Sequence, residues 1–254
     1  MLRWIDTVLP RRALFQRDRR LLHLFAGRLL ASTGFSIVIP FLSLYLHGTR
    51  GVPMSAVGSI FFVAALAGAL GQIIGGEWSD RRGRKVVLVT SQLVRSAVFL
   101  GLALAVMANA PFLVFAALTA VSAIAGRMFE PPSAAMIADI AVGERRAEYY
   151  GIFRIGGNLG WALGPAIGGF LAALSYASLF LVAAGVLLGA AALMALKVKE
   201  TLPRDRRRVR RDVAASIRVP EVGQATASVR YPLREMAGTL RDPGFLRYCI
   251  VSLV

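Results

Sequence analysis

Cysteine, histidine and acidic residues are scarce in this 254-residue chain, and each scarcity closes off a class of function. The single cysteine, Cys249, allows no intrachain disulfide and no cysteine-based metal centre. The two histidines, His23 and His47, fall at opposite ends of one apolar run and form no ligand cluster there, so no metal site is expected. Neither a Ser-His-Asp arrangement nor a phosphate-binding loop is legible, and enzymatic activity is not expected. Charged residues make up only 17% of the chain against 56% hydrophobic, less charge than a soluble domain carries. The mean hydropathy is +0.62. Long apolar runs are therefore tested first as membrane spans. Fourteen acids stand against 30 Lys and Arg, a formal net charge of +16. Such a balance raises nucleic-acid binding. Here, however, the basic residues concentrate between apolar stretches, the pattern of loops that flank spans, so a lipid bilayer and not a nucleic acid is the expected partner.

A bilayer core of about 30 Å takes about 20 helical residues. Six stretches qualify, roughly 21–46, 56–77, 86–108, 112–138, 149–172 and 175–196. The first is too long for a cleaved signal and is read as a retained helix. A further apolar run begins near Phe245 and stops at Val254, too short to cross. The expected organisation is an N-terminal segment (1–20), a six-helix domain (21–196), a basic central loop (197–242) and the start of a seventh helix (243–254). Arginines crowd the segment before the first span, and Arg81, Arg82, Arg84 and Lys85 separate the second and third. Arg145 and Arg146 separate the fourth and fifth, and KVKETLPRDRRRVRRD follows the sixth. The alternate loops carry almost no Lys or Arg. Every second loop is basic, which predicts a multi-pass protein of the cell inner membrane with a cytoplasmic N-terminus. The central loop is read as a solvated linker, although Arg206–Arg211 also suits anionic lipid headgroups.

The second span contains LAGALGQIIGG (66–76) and the fifth LGWALGPAIGG (159–169). Aligned without gaps, Leu66, Ala69, Leu70, Gly71, Ile74, Gly75 and Gly76 find identical partners. Segments three spans apart cross in opposite directions, which suits a three-plus-three inverted repeat, an architecture of transporters.

Three motifs carry chemistry. The loop after the second span reads GGEWSDRRGRKVVL (75–88). Gly76 permits close helix approach there, Gly83 a tight turn, and Asp80 can accept hydrogen bonds from a helix N-terminus or a guanidinium. Arg84 and Lys85 complete the pattern. In the fifth span, Gly157, Gly160, Gly164 and Gly168 recur every three or four residues on one helix face, with Pro165 and Gly169 beside them. Such a face lets another helix approach closely in lipid, and Pro165 removes a backbone hydrogen bond. The fourth span contains GRMFEPPSAAMIADI (126–140), where Arg127 and Glu130 share a face at i, i+3. Glu130 lies about 13 Å along the helix from Asp139 at its end, which puts a carboxylate at membrane depth. Burial there favours the neutral acid and a neighbouring guanidinium the carboxylate, so the group is a candidate for loading and releasing a proton.

These motifs, in this order on these spans, resemble the major facilitator superfamily, and the fifth-span pattern resembles its proton-coupled antiporters. The Phe-acid-Pro-Pro run is similar to one branch of multidrug exporters. The resemblance covers essentially the whole chain and implies an all-α integral membrane fold, the N-terminal six-helix bundle plus the start of a seventh helix. It implies that Gly76, Asp80, Gly83, Arg84, Lys85 and Asp139 form a cytoplasmic latch whose partner helix lies in a second half. It also implies a substrate path along the first and fourth helices, which makes Arg28, Ser32 and Arg127 cavity candidates. Arg28 and Arg95 have no acidic neighbour in their own helices; each either faces the central cavity, there to meet Glu130 or an anionic substrate, or snorkels to the interface. An arginine usual several residues earlier in the fourth span of related exporters is not evident here, which leaves the role of Arg127 open. The expected function is proton-coupled efflux of small amphipathic compounds by alternating access, with no cofactor beyond the proton gradient. The missing C-terminal half or a second copy is the expected partner. A sugar or metabolite transporter, and a half-length protein acting only by association, are the alternatives.

Overall fold

Lipid offers a peptide group no hydrogen-bond partner, so a run that crosses it must satisfy its backbone internally. All six runs do so as helices. The computed structural model describes residues 19–141 and 145–202. Helix α1 (Arg19–Leu44) continues through a π turn, Tyr45–Thr49. It is followed by α2 (Met54–Arg82) and α3 (Arg84–Met107). The fourth run is divided into α4 (Phe112–Met128) and α5 (Glu130–Ile140), and α6 (Arg146–Leu174) and α7 (Tyr176–Lys197) complete the set. With α4 and α5 counted together these are six spans, each long and apolar enough to cross a membrane. No strand occurs among the described residues. Residues 1–18, most of the expected central loop and the expected seventh helix, with Cys249, lie outside them.

Two sequence features set the helix boundaries. Gly83 adopts φ 114°, a conformation that side chains resist, so α2 ends and α3 starts around one residue. The second span therefore runs to Arg82 and not to 77. In the fourth span, Pro131 and Pro132 lack the N–H groups that would reach the carbonyls of Arg127 and Met128. The helix is interrupted at Phe129 and resumes as α5.

The spans pack as the internal repeat demands. Exchanging the two triplets maps the second span onto the fifth and the fourth onto the first. The second packs on the fourth and the fifth on the first. A Cβ on Gly75 would stand 2.5 Å from Met128 Cα, and one on Gly160 would stand 2.6 Å from the Leu29 carbonyl oxygen. Gly71 against Ile124, and Gly164 against Ser36, leave still less room. Gly71 aligns with Gly164 and Gly75 with Gly168, so the same repeat positions make the close approaches in both triplets. Ser36 Oγ donates to the Gly160 carbonyl at 2.9 Å across that contact.

Two apolar clusters form the core. One gathers Ile37, Leu42, Phe99, Leu102, Phe115, Phe180 and Leu187, the other Leu24, Leu88, Phe129, Met136, Ile137 and Met194. Helices α1 and α3, and the fourth span through α4 and α5, pass from one cluster to the other through polar stretches, and those stretches form the site.

Candidate functional site

Between the clusters lies a cavity of about 420 Å³. Its wall brings together Arg28 and Ser32 of α1, Arg95 of α3, Arg127 of α4 and Glu130 of α5, the whole set of cavity and proton-site candidates read from the sequence. Phe35, Phe61, Phe99 and Trp161 supply apolar surface, and Thr119 and Ser122 supply hydroxyls.

Arg28 Nη1 donates to Glu130 Oε1 at 2.6 Å. The guanidinium lies over the rings of Phe129 and Phe153, 5.7 and 5.2 Å from their centroids, so aromatic faces hold it from two sides. Arg28 therefore does not snorkel to the helix end. The i, i+3 spacing suggests Arg127 as the partner of Glu130, yet no ion pair joins them among the described residues. The break at Phe129 separates the two onto different helices, and Arg28 across the interface takes the carboxylate instead. Arg95 does not snorkel either. It is 5% exposed, and its guanidinium sits 4.5 Å from the Phe35 centroid and 5.8 Å from that of Phe99.

The basic end of the bundle carries a second network. Arg84 forms an ion pair with Asp139, and its Nη1 also donates to the Ala135 carbonyl at 3.0 Å and to Thr201 Oγ1 at 3.2 Å. Sequence reasoning missed Glu200. Its carboxylate accepts the backbone N–H groups of Arg84 and Lys85 at 3.1 and 3.2 Å, and those of Thr201 and Leu202 at 3.0 Å each. A carboxylate at a helix N-terminus satisfies orphan donors and opposes the helix dipole. The signal available was an acid standing just past the sixth span in a run of Lys and Arg. The start of the expected solvated loop is thus packed, with Val198 and Leu202 buried. Asp80 is half-buried on the last turn of α2. Gly76 differs from expectation, because a Cβ there would meet Pro131 at 3.8 Å, an ordinary contact. The close approach belongs to Gly71 and Gly75, one turn apart on the face that meets α4. Gly169 is similarly roomy, while Gly160, Gly164 and Gly168 face α1 tightly.

Comparison with known proteins agrees with this architecture. The chain is 30% identical over 150 residues to a Na(+), Li(+), K(+)/H(+) antiporter of Planococcus maritimus, covering 57% of this chain and 34% of that protein. It is 30% identical over 169 residues to the multidrug resistance protein MdtH of Yersinia pestis, covering 64% and 41%. The matched region thus spans less than half the length of these curated relatives. Among solved structures, a peptide transporter POT aligns over 96% of this chain and 52% of that one, with a TM-score of 0.64 at 17% identity. The human organic anion transporter MFSD10 aligns over 74% and 49%, with a TM-score of 0.57 at 24% identity. Both likenesses speak for the fold. The sequence profile of the Major Facilitator Superfamily matches residues 24–254, and the chain, a multi-pass membrane protein, belongs to that superfamily.

Proposed function

We propose that this chain forms one half of a secondary active transporter that exports small amphipathic compounds by alternating access, with Glu130 carrying the coupled proton. The observation that supports it most is the Arg28–Glu130 pair in the wall of a cavity at membrane depth. Charges in spans are costly and mark ion pathways, and a carboxylate held by side chains alone can exchange its arginine for a proton. The basic loops favour a cytoplasmic N-terminus. The Arg84–Asp139–Glu200 network then lies on the cytoplasmic side, where it is suited to hold the first half rigid while the halves rock. The opposite cavity wall comes from a second half or a second copy. Two relatives, an antiporter and a multidrug resistance protein by name, support exchange and efflux.

The test is Glu130→Gln in protein reconstituted into vesicles, with efflux of a panel of aromatic acids, amides and amines driven by an imposed pH gradient. Gradient-driven efflux is expected to fall at least tenfold while the melting temperature stays within a few degrees. Unchanged efflux removes the proton role. A folded wild-type protein that moves nothing on the panel favours the association-only reading.

A further inference from the structure

We propose that the cavity takes an anionic amphiphile, with its acid group on Arg95 and Arg127 and its apolar body among the aromatic side chains. This rests on the transporter reading above and names its class of cargo. Three guanidinia, of Arg28, Arg95 and Arg127, line one cavity with a single carboxylate, Glu130. Glu130 is engaged by Arg28 at 2.6 Å. Arg95 and Arg127 form no ion pair among the described residues.

Arg95 argues most strongly. It is almost fully buried and makes no hydrogen bond or ion pair among the described residues, and its Nε is buried without a partner. Phe35 and Phe99 stabilise its charge by their faces, but a ring face offers nothing to the in-plane N–H fork. Unmade hydrogen bonds from a buried charged group are costly, and a carboxylate, sulfonate or phosphate monoester is the planar or branched acceptor that an arginine fork fits. A second arginine lines the same cavity from the fourth span: Arg127 is exposed and packs beside Gly68 of α2. Arg95 itself lies against the fourth span, where a Cβ on Gly126 would touch its guanidinium at 3.4 Å. Ser122, one turn before Gly126, also has a buried hydroxyl with no partner. An ammonium in the same place would meet a wall that carries an excess of positive charge. Phe61, Phe99 and Trp161 then receive an aromatic or aliphatic body. Outward movement of an anion runs with an inside-negative membrane potential, so the cargo and the direction of export are compatible.

Three probes of equal shape separate the possibilities: 2-naphthoate, 2-naphthamide and 2-naphthylmethylammonium, titrated calorimetrically into the purified full-length protein in nanodiscs. Naphthoate is expected to bind at least tenfold tighter than the amide, and the ammonium weakest. Arg95→Gln and Arg127→Gln should each weaken naphthoate about tenfold and leave the amide unchanged, and Arg95→Lys should restore part of the loss. The wild-type comparison needs no variant to fold. Naphthoate and naphthamide binding within twofold of each other, or the ammonium binding tightest, overturns the proposal. Vesicle transport keeps the two readings apart. If naphthoate binds through the arginines but does not cross, the anion site stands and the transporter reading fails. If the probes cross with no preference for the carboxylate, transport stands and the anion site fails.

Discussion

Two arginine–carboxylate pairs tie the first triplet of spans to the fourth, and they are built differently. Arg84–Asp139 is set among backbone partners, the Ala135 carbonyl on one side and the four N–H groups gathered by Glu200 on the other. Those partners move only if helices move, so the pair acts as a joint. Arg28–Glu130 has side chains on both ends and aromatic rings around it, and Arg28 Nε has no partner. Its side chains are 21% and 38% exposed, toward a cavity. A pair of this kind can release one member without unfolding anything. The chemistry is the same in both; what surrounds it decides between architecture and function.

The most damaging way to break this contrast is to remove the joint. Arg84→Gln removes the buried arginine of the pair and leaves Asp139 without its guanidinium, and is expected to cost about 2 kcal/mol, which lowers the melting temperature by about 4–8 °C. Naphthoate affinity should stay within twofold, since Arg84 does not line the cavity. The reciprocal variant, Arg28→Gln, should show the inverse pattern, with gradient-driven transport lost and melting little changed. Equal melting losses in both would show that the two pairs are alike after all.

A finer cut is Glu200→Gln. The amide keeps an oxygen acceptor at the start of α3 but loses the charge that opposes the helix dipole. The expected loss is about 1 kcal/mol. Hydrogen exchange at the Arg84 and Lys85 amides should quicken about fivefold in step. Unchanged protection at those two amides would mean that Glu200 is not their acceptor in the membrane.

The sequence revealed the joint and the cavity unequally. Hydropathy and loop charge gave six spans because lipid leaves a helix as the only way to satisfy so long an apolar backbone. Repeat and motif spacing marked the right helix faces, since face is a local property of a 3.6-residue period. The partner of Glu130 was only partly legible: the lone arginines of the first and third spans, Arg28 and Arg95, were candidates to meet it, and packing of α1 on the broken fourth span, 102 residues away in sequence, selects Arg28. Local spacing pointed to Arg127, and the two prolines that undo that spacing were visible, but their consequence for pairing was not. Gly76 shows the same limit one residue at a time. A glycine pair marks a close approach without saying which member makes it, and the turn of α2 against α4 assigns it to Gly75.

Gly157→Ala makes the smallest change and tests the contrast most finely. Gly157 of α6 faces Arg28, and a Cβ there would stand 2.8 Å from its Nε. The backbone at Gly157 is ordinary helix, so alanine adds about 0.5–1 kcal/mol of helix propensity. The atom it meets is near the end of a flexible side chain, which can swing aside toward the cavity. Melting is therefore expected to hold or to rise by a few degrees, while displacement of the guanidinium from Glu130 slows gradient-driven transport a few-fold. Both are read on one preparation, by thermal melt and by vesicle efflux. A melting loss as large as that of Arg84→Gln would mean that Arg28 is locked in place as firmly as Arg84, and the distinction between a joint and an exchangeable pair would collapse.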